Sequence, residues 1–319
     1  MAQRHFIGIE QAGAERCHQI LKLAQLFRQS CRQSLDFHHR LVVLAFFEPS
    51  TRTRNSFEAA AVRLGFNVIH FSAVGSSIEK GESVEDTIRT LEAIGANAIV
   101  VRHQASDAAE IASRVAQRAS IINAGDGTHE HPTQALLDAM TLIDVWGTLE
   151  GKRVAIVGDI LHSRVFRSNY ALLRMLGCQI GVCAPPLLMP RWLPPDIVIL
   201  SDIRAALAWA DAVISLRLQR ERMDSGLVPS LSDYCSRYAV REQDFQHSRA
   251  YLLHPGPVNW GIEIEHALQG HPRNLILHQV ENGVFIRMAV LVDVVAPEVV
   301  QSLIGRPCHG EQTFTQSSS

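Results

Sequence analysis

LVVLAFFEPSTRTRNSFEAAAVRLG, Leu41 to Gly65, is the stretch whose reading decides the fold. An apolar run of strand length stops at Pro49, and apolar residues then recur at helical spacing until Gly65 closes the segment. A buried strand that passes at once into a helix is the handover of a parallel α/β sheet. At the junction stand Ser50, Thr51, Arg52, Thr53 and Arg54. They have two readings. One is a polar helix cap with solvated arginines. The other is a set of hydroxyls and guanidiniums gathered around an anion, at a helix N-terminus whose free N–H groups already favour negative charge.

The alternation continues outward. A first helix is expected around ILKLAQLF, and after Gly65 come NVIHFSA, VEDTIRTLEAIG, AIVVRH, ASDAAEIASRVAQRA and SIINA. HPTQALLDAMTLIDVWG reads as a long helix with Pro132 in its first turn. A second series follows: KRVAIVGDI, RSNYALLRMLG, CQIGVCAP, DIRAALAWA, DAVISLR, VREQDFQHS and AYLLHPG. The fold class is therefore α/β with two domains, each a mostly parallel sheet flanked by helices. Residues 1–131 form the first domain, 132–146 an interdomain helix and 147–282 the second domain. The apolar helix NGVFIRMAVLVDVV, Asn282 to Val295, comes after the second series is complete, and the C-terminal helix, 283–319, is expected to pack back on the first domain and complete it.

Bulk composition agrees. A chain of 319 residues exceeds the roughly 250 to 300 at which single cores stop growing. Charged residues are 19% of it, below the usual value of about 25%, which favours buried strands and covered subunit faces. A formal net charge of -2 without long charge runs excludes a general grip on nucleic acid. The six cysteines lack CxxC spacing, which argues against both a zinc knuckle and a disulfide scaffold. No leader pattern opens the chain and no run of about 18 apolar residues interrupts it. A soluble, cytoplasmic protein is expected, with no membrane partner.

Ligands of open parallel sheets bind at the carboxyl ends of the strands. Arg102 and His103 end the strand AIVVRH, and Arg102 there can make a second anion contact. In GDGTHEHPTQ, His131 and Gln134 are three apart at a helix start and share a face. Metal binding by His129, Glu130 and His131 is the rival reading, disfavoured because adjacent side chains seldom converge on one ion. VAIVGDILHSR has the single glycine Gly158 where a dinucleotide loop needs three, so nicotinamide binding is disfavoured. What that turn offers is Arg164. After DAVIS, SLRLQRERMD supplies Arg217 and Gln219, with Arg220, Glu221 and Arg222 read as solvated. Arg164 and Arg217 together suit a ligand with two carboxylates. YLLHPGPVN stops at two X-Pro steps, read either as a rigid turn or as a turn whose carbonyls accept from an amide NH2.

Together, FFEPSTRTR, the KGES loop, VRH, HPTQ, the arginine after GDI, RLQRER and HPGP resemble the aspartate carbamoyltransferases in order and approximate spacing over nearly the whole chain. The resemblance implies transfer of the carbamoyl group of carbamoyl phosphate to the amine of L-aspartate, an early step of de novo pyrimidine biosynthesis, with no metal or organic cofactor. It implies that Ser50, Thr51, Arg52, Thr53 and Arg102 hold the phosphate. Thr53, Arg102 and His131 would polarise the carbonyl, while Gln134 and the carbonyls of Gly256 and Pro257, joined by a cis peptide, would orient the NH2. Arg164, Arg217 and Gln219 would hold aspartate. Ser76 and Lys80 would reach into a neighbouring subunit's site, so that a homotrimer shares its active sites. Arg54 would be structural, braced by an acidic group such as Glu82. Regulatory chains or a dihydroorotase-like subunit are left open as further partners.

One departure is visible: Trp260 follows Asn259 where HPGP-type members commonly carry arginine. The nearest rival is ornithine carbamoyltransferase, whose cationic substrate would require carboxylate or thiolate partners where this chain has Arg164 and Arg217. A non-catalytic phosphate-binding paralogue is the other alternative, and the occupied catalytic positions weigh against it.

Overall fold

The structure is a computed structural model and describes residues 4–29, 35–72, 81–218 and 230–305. After α1 (Ile9–Gln29), the first half alternates β1 (Leu41–Phe46), α2 (Thr51–Arg63), β2 (Asn67–Ser72), α3 (Val84–Ile94), β3 (Ala98–His103), α4 (Ala108–Val115) and β4 (Ser120–Asp126). All pairings are parallel, in the order β2-β1-β3-β4. Alternation along the strands separates the two faces. Val42, Leu44 and Phe46 join the core shared with α1, α2 and the later helix α5 (Pro132–Trp146), whereas Val43 and Ala45 face Ile88 and Leu91 of α3 and Ala112 of α4.

The second half contains β5 (Arg153–Val157), α6 (Arg164–Met175), β6 (Gln179–Cys183), β7 (Val198–Ile199), α7 (Ile203–Trp209), β8 (Ala212–Ser215), α8 (Leu231–Tyr238), α9 (Glu242–Gln246) and β9 (Tyr251–Leu253). Its parallel sheet has the order β7-β6-β5-β8-β9. The chain leaves β5 towards β6 on one side and later returns to β8 on the other, which opens a crevice at the carboxyl ends. Finally α10 (Ile276–Val295) packs on α1, α2 and α5, and α11 (Pro297–Ile304) follows it.

Several boundaries differ from the sequence-based expectation. α1 begins at Ile9 and is broken at Gly13, where φ is 75°. Its early turns carry Glu10, Gln11, Glu15 and Arg16, so the apolar stripe is sparse before Ile20. α10 starts at Ile276, ahead of the apolar run, and these first turns escape the apolar pattern because their buried side chains include the amides Gln279 and Asn282. β7 has only two residues, both exposed, and α8 is a polar helix with just Tyr234 and Tyr238 buried, so neither carries a strong pattern.

α2 shows how the opening stretch folds. Thr53, Phe57, Ala60 and Ala61 are its buried residues, at the 3.6-residue period of one face, and Gly65 ends the segment at φ 80°. Parallel pairing sets Phe46 opposite Arg102, so β1 and β3 deliver their following residues to one edge.

Behind that edge, Glu92 at the end of α3 accepts from the backbone N–H groups of Gln117, Arg118 and Ala119 and shapes the entry to β4. Burial raises its pKa, but the three N–H donors outweigh burial and leave it below the ordinary value. Glu92→Gln should destabilise the fold by about 1–3 kcal/mol, because all three N–H groups converge on Oε1, where a neutral amide oxygen is a weaker acceptor than a carboxylate, and the amide NH2 would stand where Oε2 now meets the Gln117 N–H at 3.1 Å. A depressed carboxylate contributes stability above its unfolded pKa and loses it as pH falls through the folded one. The gap between wild type and variant in urea melts should therefore be full at neutral pH and close on acidification; a gap that widens in acid would refute this assignment.

Candidate active site

The strand ends of both sheets face one cavity of about 530 Å³. Ser50, Thr51, Arg52 and Thr53 line it from the start of α2, Arg102 from the end of β3, and His131 and Gln134 from the start of α5. Opposite them stand Arg164 at the first residue of α6, Arg217 just past β8, and Gly256 and Pro257 past β9. Every site residue expected from the sequence that falls among the described residues lines this cavity, Arg54 excepted. Arg54 is exposed. Ser76, Lys80 and Gln219 lie outside the described residues.

The two readings of Ser50 are separated by its hydroxyl. Ser83, Ser163 and Ser230 each accept from a backbone N–H of the helix they precede. Ser50 occupies the same position before α2, with φ -159° and ψ 93°, and its side chain makes no such bond. The hydroxyl and the first N–H groups of α2 are thus both available at the cavity wall.

His131 precedes α5 in the same way, without a side-chain cap. Its backbone N–H donates to Ser168 Oγ at 2.8 Å, and that hydroxyl donates in turn to Glu130. Burial, then the charges of Arg102, Arg164 and Arg287, push the His131 pKa well below 6.5, so the imidazole is neutral at neutral pH. The metal reading of His129, Glu130 and His131 fails on direction. His129 turns to Asp126 at 3.3 Å, Glu130 accepts from Ile9 N and Ser168, and His131 faces the cavity.

The site is strongly cationic. Arg52, Arg102, Arg164 and Arg217 line the cavity, and Arg287 is buried beneath α2, donating to Ser56 Oγ at 2.9 Å and to Gly283 O at 3.0 Å. Burial, followed by Arg164, lowers the Arg102 pKa to about 10, which still leaves it charged at neutral pH. Burial and then Arg102 lower Arg287 to about 9. One carboxylate offsets part of this: Glu48 Oε1 lies 2.7 Å from Arg102 Nε and 2.5 Å from Arg164 Nη2.

Glu48 was not among the expected site residues, although it stands in the opening stretch. A single acid before Pro49 has no distinguishing pattern; only the meeting of the two sheets reveals its partners. His162 was also missed. It lines the cavity with Nδ1 3.0 Å from Asp159 Oδ1, in the turn that was read for Arg164 alone.

Close backbone approach explains two glycines. Gly125, at φ 116°, lies where a Cβ would stand 3.2 Å from both Arg102 Nη1 and Arg164 Cζ. Gly256 has φ 71° and a cis peptide to Pro257, and a Cβ there would stand 2.7 Å from Arg52 Cζ. The turn after β9 therefore rests directly on the guanidinium of α2. Partial burial, then the charge of Arg217, lowers the Arg52 pKa. The set can clamp two anions side by side and offer neutral donors and acceptors between them.

Comparison with known proteins agrees with this geometry. Residues 4–144 match the family model described as aspartate/ornithine carbamoyltransferase, carbamoyl-P binding domain, and residues 150–294 match its Asp/Orn binding domain. The chain is 52% identical over 252 residues to the aspartate carbamoyltransferase catalytic subunit of Thermus aquaticus, covering 78% of this chain and 83% of that protein. It is 44% identical over 301 residues to that of Chlorobaculum parvum, covering 90% and 97%. Among solved structures, aspartate transcarbamoylase of Trypanosoma cruzi in complex with carbamoyl phosphate superposes with a TM-score of 0.82 at 31% identity, over 92% of this chain and 96% of that one. The M. jannaschii catalytic subunit gives 0.80 at 30% identity, over 92% and 99%. With two α/β sheets meeting at a cationic cleft and both family models matched in order, the chain belongs to the aspartate/ornithine carbamoyltransferase family, among its aspartate carbamoyltransferases.

Proposed function

We propose that the cavity binds carbamoyl phosphate against the first sheet and L-aspartate against the second, and transfers the carbamoyl group to the aspartate amine. The observation that carries this reading is the convergence of four guanidiniums, from strand ends of both sheets, on one cavity whose walls also carry hydroxyls, a neutral imidazole and an amide. Ser50, Thr51, Arg52, Thr53 and Arg102 hold the phosphate. Thr53, Arg102 and His131 draw charge towards the carbonyl oxygen; a neutral His131 donates a hydrogen bond there without carrying a proton to be lost. Gln134 and the carbonyls of Gly256 and Pro257 accept from the NH2. Arg164, Arg217 and Gln219 bind the two carboxylates of aspartate.

The neutral amine attacks the carbonyl carbon, the bond from that carbon to the phosphate oxygen breaks, and the departing phosphate takes the proton shed by the amine. The products are N-carbamoyl-L-aspartate and phosphate, which places the reaction early in pyrimidine biosynthesis. Rate enhancement comes from holding two anions together and from donors aimed at developing oxyanion charge. Ornithine is a poor fit, because Arg164 and Arg217 stand where its ammonium would have to lie.

The full assembly is a homotrimer in which Ser76 and Lys80 complete the neighbouring site and Arg54 braces the loop that carries them. The reading gives residues 1–131 with 283–319 to the phosphate-binding domain and 147–282 to the aspartate domain, joined by 132–146. The packing of α10 on α1, α2 and α5 supports that return. Among the described residues no helix is long and apolar enough to cross a membrane. The cysteines among the described residues, Cys17, Cys178, Cys183 and Cys235, are free thiols, which fits a reducing cytoplasm.

The purified chain should form N-carbamoylaspartate from carbamoyl phosphate and aspartate; citrulline from ornithine, with no product from aspartate, would sink the reading. Arg52→Ala should abolish phosphate binding, and Arg217→Ala should chiefly raise the KM for aspartate. Either loss is expected to cost about 2 to 4 kcal/mol in the barrier. Equal weakening of both substrates in Arg217→Ala would refute the division of labour between the two sheets.

Sharing of sites has its own test. Inactive Lys80→Ala and inactive Arg52→Ala chains, mixed under conditions that exchange subunits, should regain activity through sites built from one intact half of each. Native mass should be three times the chain mass or a multiple of that trimer. A monomeric active enzyme, or no recovery after verified exchange, would exclude shared sites.

A further inference from the structure

Asp138 lies one turn beyond Gln134 on α5, fully buried and outside the cavity lining. Its carboxylate accepts from three amides carried by three helices. Gln134 Nε2 at 2.8 Å and Gln279 Nε2 at 2.6 Å donate to Oδ1, and Asn169 Nδ2 at 2.8 Å donates to Oδ2. An ionised carboxylate has no proton to give, so each amide must turn its NH2 towards it and its oxygen away. The Gln279 oxygen then accepts from His254 N at 2.9 Å, at the start of the turn that carries Gly256 and Pro257. The Gln134 oxygen is left without a hydrogen bond among the described residues, on a side chain that lines the cavity.

We propose that Asp138 is a positioning residue that fixes which end of the Gln134 amide faces the cavity, and so sets the preference for an acyl phosphate bearing NH2 over one bearing a methyl group. The inference rests on the reading of Gln134 as the partner of the carbamoyl NH2. It adds the reason that Gln134 presents an acceptor rather than a donor. An amide carbonyl and an amide NH2 are nearly the same shape, so packing alone cannot choose between them; only a partner of fixed polarity can. Burial raises the Asp138 carboxyl to about 6, opposed by the hydrogen bonds from Asn169, Gln279 and Gln134 and by the charge of Arg287, so the acceptor form prevails at neutral pH. Through Gln279 the same oxygen also holds His254, so both sides of NH2 recognition share one anchor.

Asp138→Asn keeps the size of the side chain but gives it an NH2 that can donate to Gln134. The Gln134 amide is then free to reverse and set its own NH2 against that of carbamoyl phosphate. The experiment compares KM for carbamoyl phosphate, with aspartate as acceptor, against the inhibition constant of acetyl phosphate, whose methyl group makes no hydrogen bond to lose. In Asp138→Asn, carbamoyl phosphate should weaken on the order of tenfold to a hundredfold while acetyl phosphate changes little. Parallel weakening of both, or no change in their ratio, would overturn the proposal.

Should Asp138→Asn fail to fold, Gln134→Glu offers a second test. Two adjacent carboxyls titrate as a pair and share one proton. The protonated Glu donates its O–H to Asp138 and keeps a carbonyl towards the cavity, so it should retain the preference that Gln134→Met loses. A Gln134→Glu enzyme as indiscriminate as Gln134→Met would overturn the proposal. The wild type keeps the two readings apart: without carbamoyl transfer to aspartate the proposed function itself fails, whereas an active wild type with an unchanged ratio in Asp138→Asn defeats only the role of Asp138.

Discussion

Mutual repulsion of guanidiniums is the constraint around which this molecule is arranged. Arg52 and Arg102 come from one sheet, Arg164 and Arg217 from the other, and all four face the same cavity. Like charges at such range in a partly desolvated site are unfavourable, and the lowered pKa of Arg102 records it: burial acts first and Arg164 second. Within the chain, Glu48 bridges the two halves by placing one oxygen between Arg102 and Arg164. That oxygen relieves two of the charges and leaves Arg52 and Arg217 to oppose each other. On the proposed reading, a phosphate dianion and a dicarboxylate relieve the remainder. Substrate affinity then arises as much from removing repulsion already present as from new hydrogen bonds.

Such an arrangement needs rigid supports, because each guanidinium would otherwise swing into solvent. The supports are the strand ends. β1 and β3 are adjacent and in register, β8 and β9 are adjacent in the second sheet, and the residues that follow each strand are delivered to the crevice. Backbone is brought against the charges where side chains would not fit, at Gly125 and Gly256. α10 then ties the halves together: it packs on α1, α2 and α5, carries Arg287 below the first sheet's site, and sends Gln279 to His254 in the second.

Much of this was legible in the sequence, for a physical reason that also marks its limits. Hydroxyls and guanidiniums gathered directly after buried apolar runs exceed what a helix cap needs, so Ser50 to Thr53, Arg102, Arg164 and Arg217 stood out by position. The strands β1, β3, β5 and β8 stood out because burial on both faces leaves nearly continuous apolar runs. Glu48 and Asp138 did not, since their importance lies largely in partners on other elements, Arg102 and Arg164 for the one and Asn169 and Gln279 for the other, and nothing in the local spacing announces a carboxylate that acts by accepting. β7 and α8 escaped because they bury little and therefore carry little periodicity. The family resemblance supplied the roles expected of Ser76 and Lys80, the latter an exposed loop cation on spacing alone, and the ligand expected of Gln219, which position had only set beside Arg217.

The two missed carboxylates do different work, and the difference follows from their surroundings. Glu48 is partly exposed and pairs with guanidiniums, so its contribution is charge; any anion of suitable shape can stand in for it. Asp138 is fully buried among neutral amides, so its contribution is direction. A buried acceptor that leaves three donors no alternative orientation makes the polarity of the whole network a single choice, since reversing any one amide would set a carbonyl against a carboxylate. The site thus draws strength from charges that can be exchanged and selectivity from hydrogen bonds that cannot. On the proposed role of Asp138, that division lets a cavity lined by arginines, which would accept many anions, still distinguish an amino group from a methyl group.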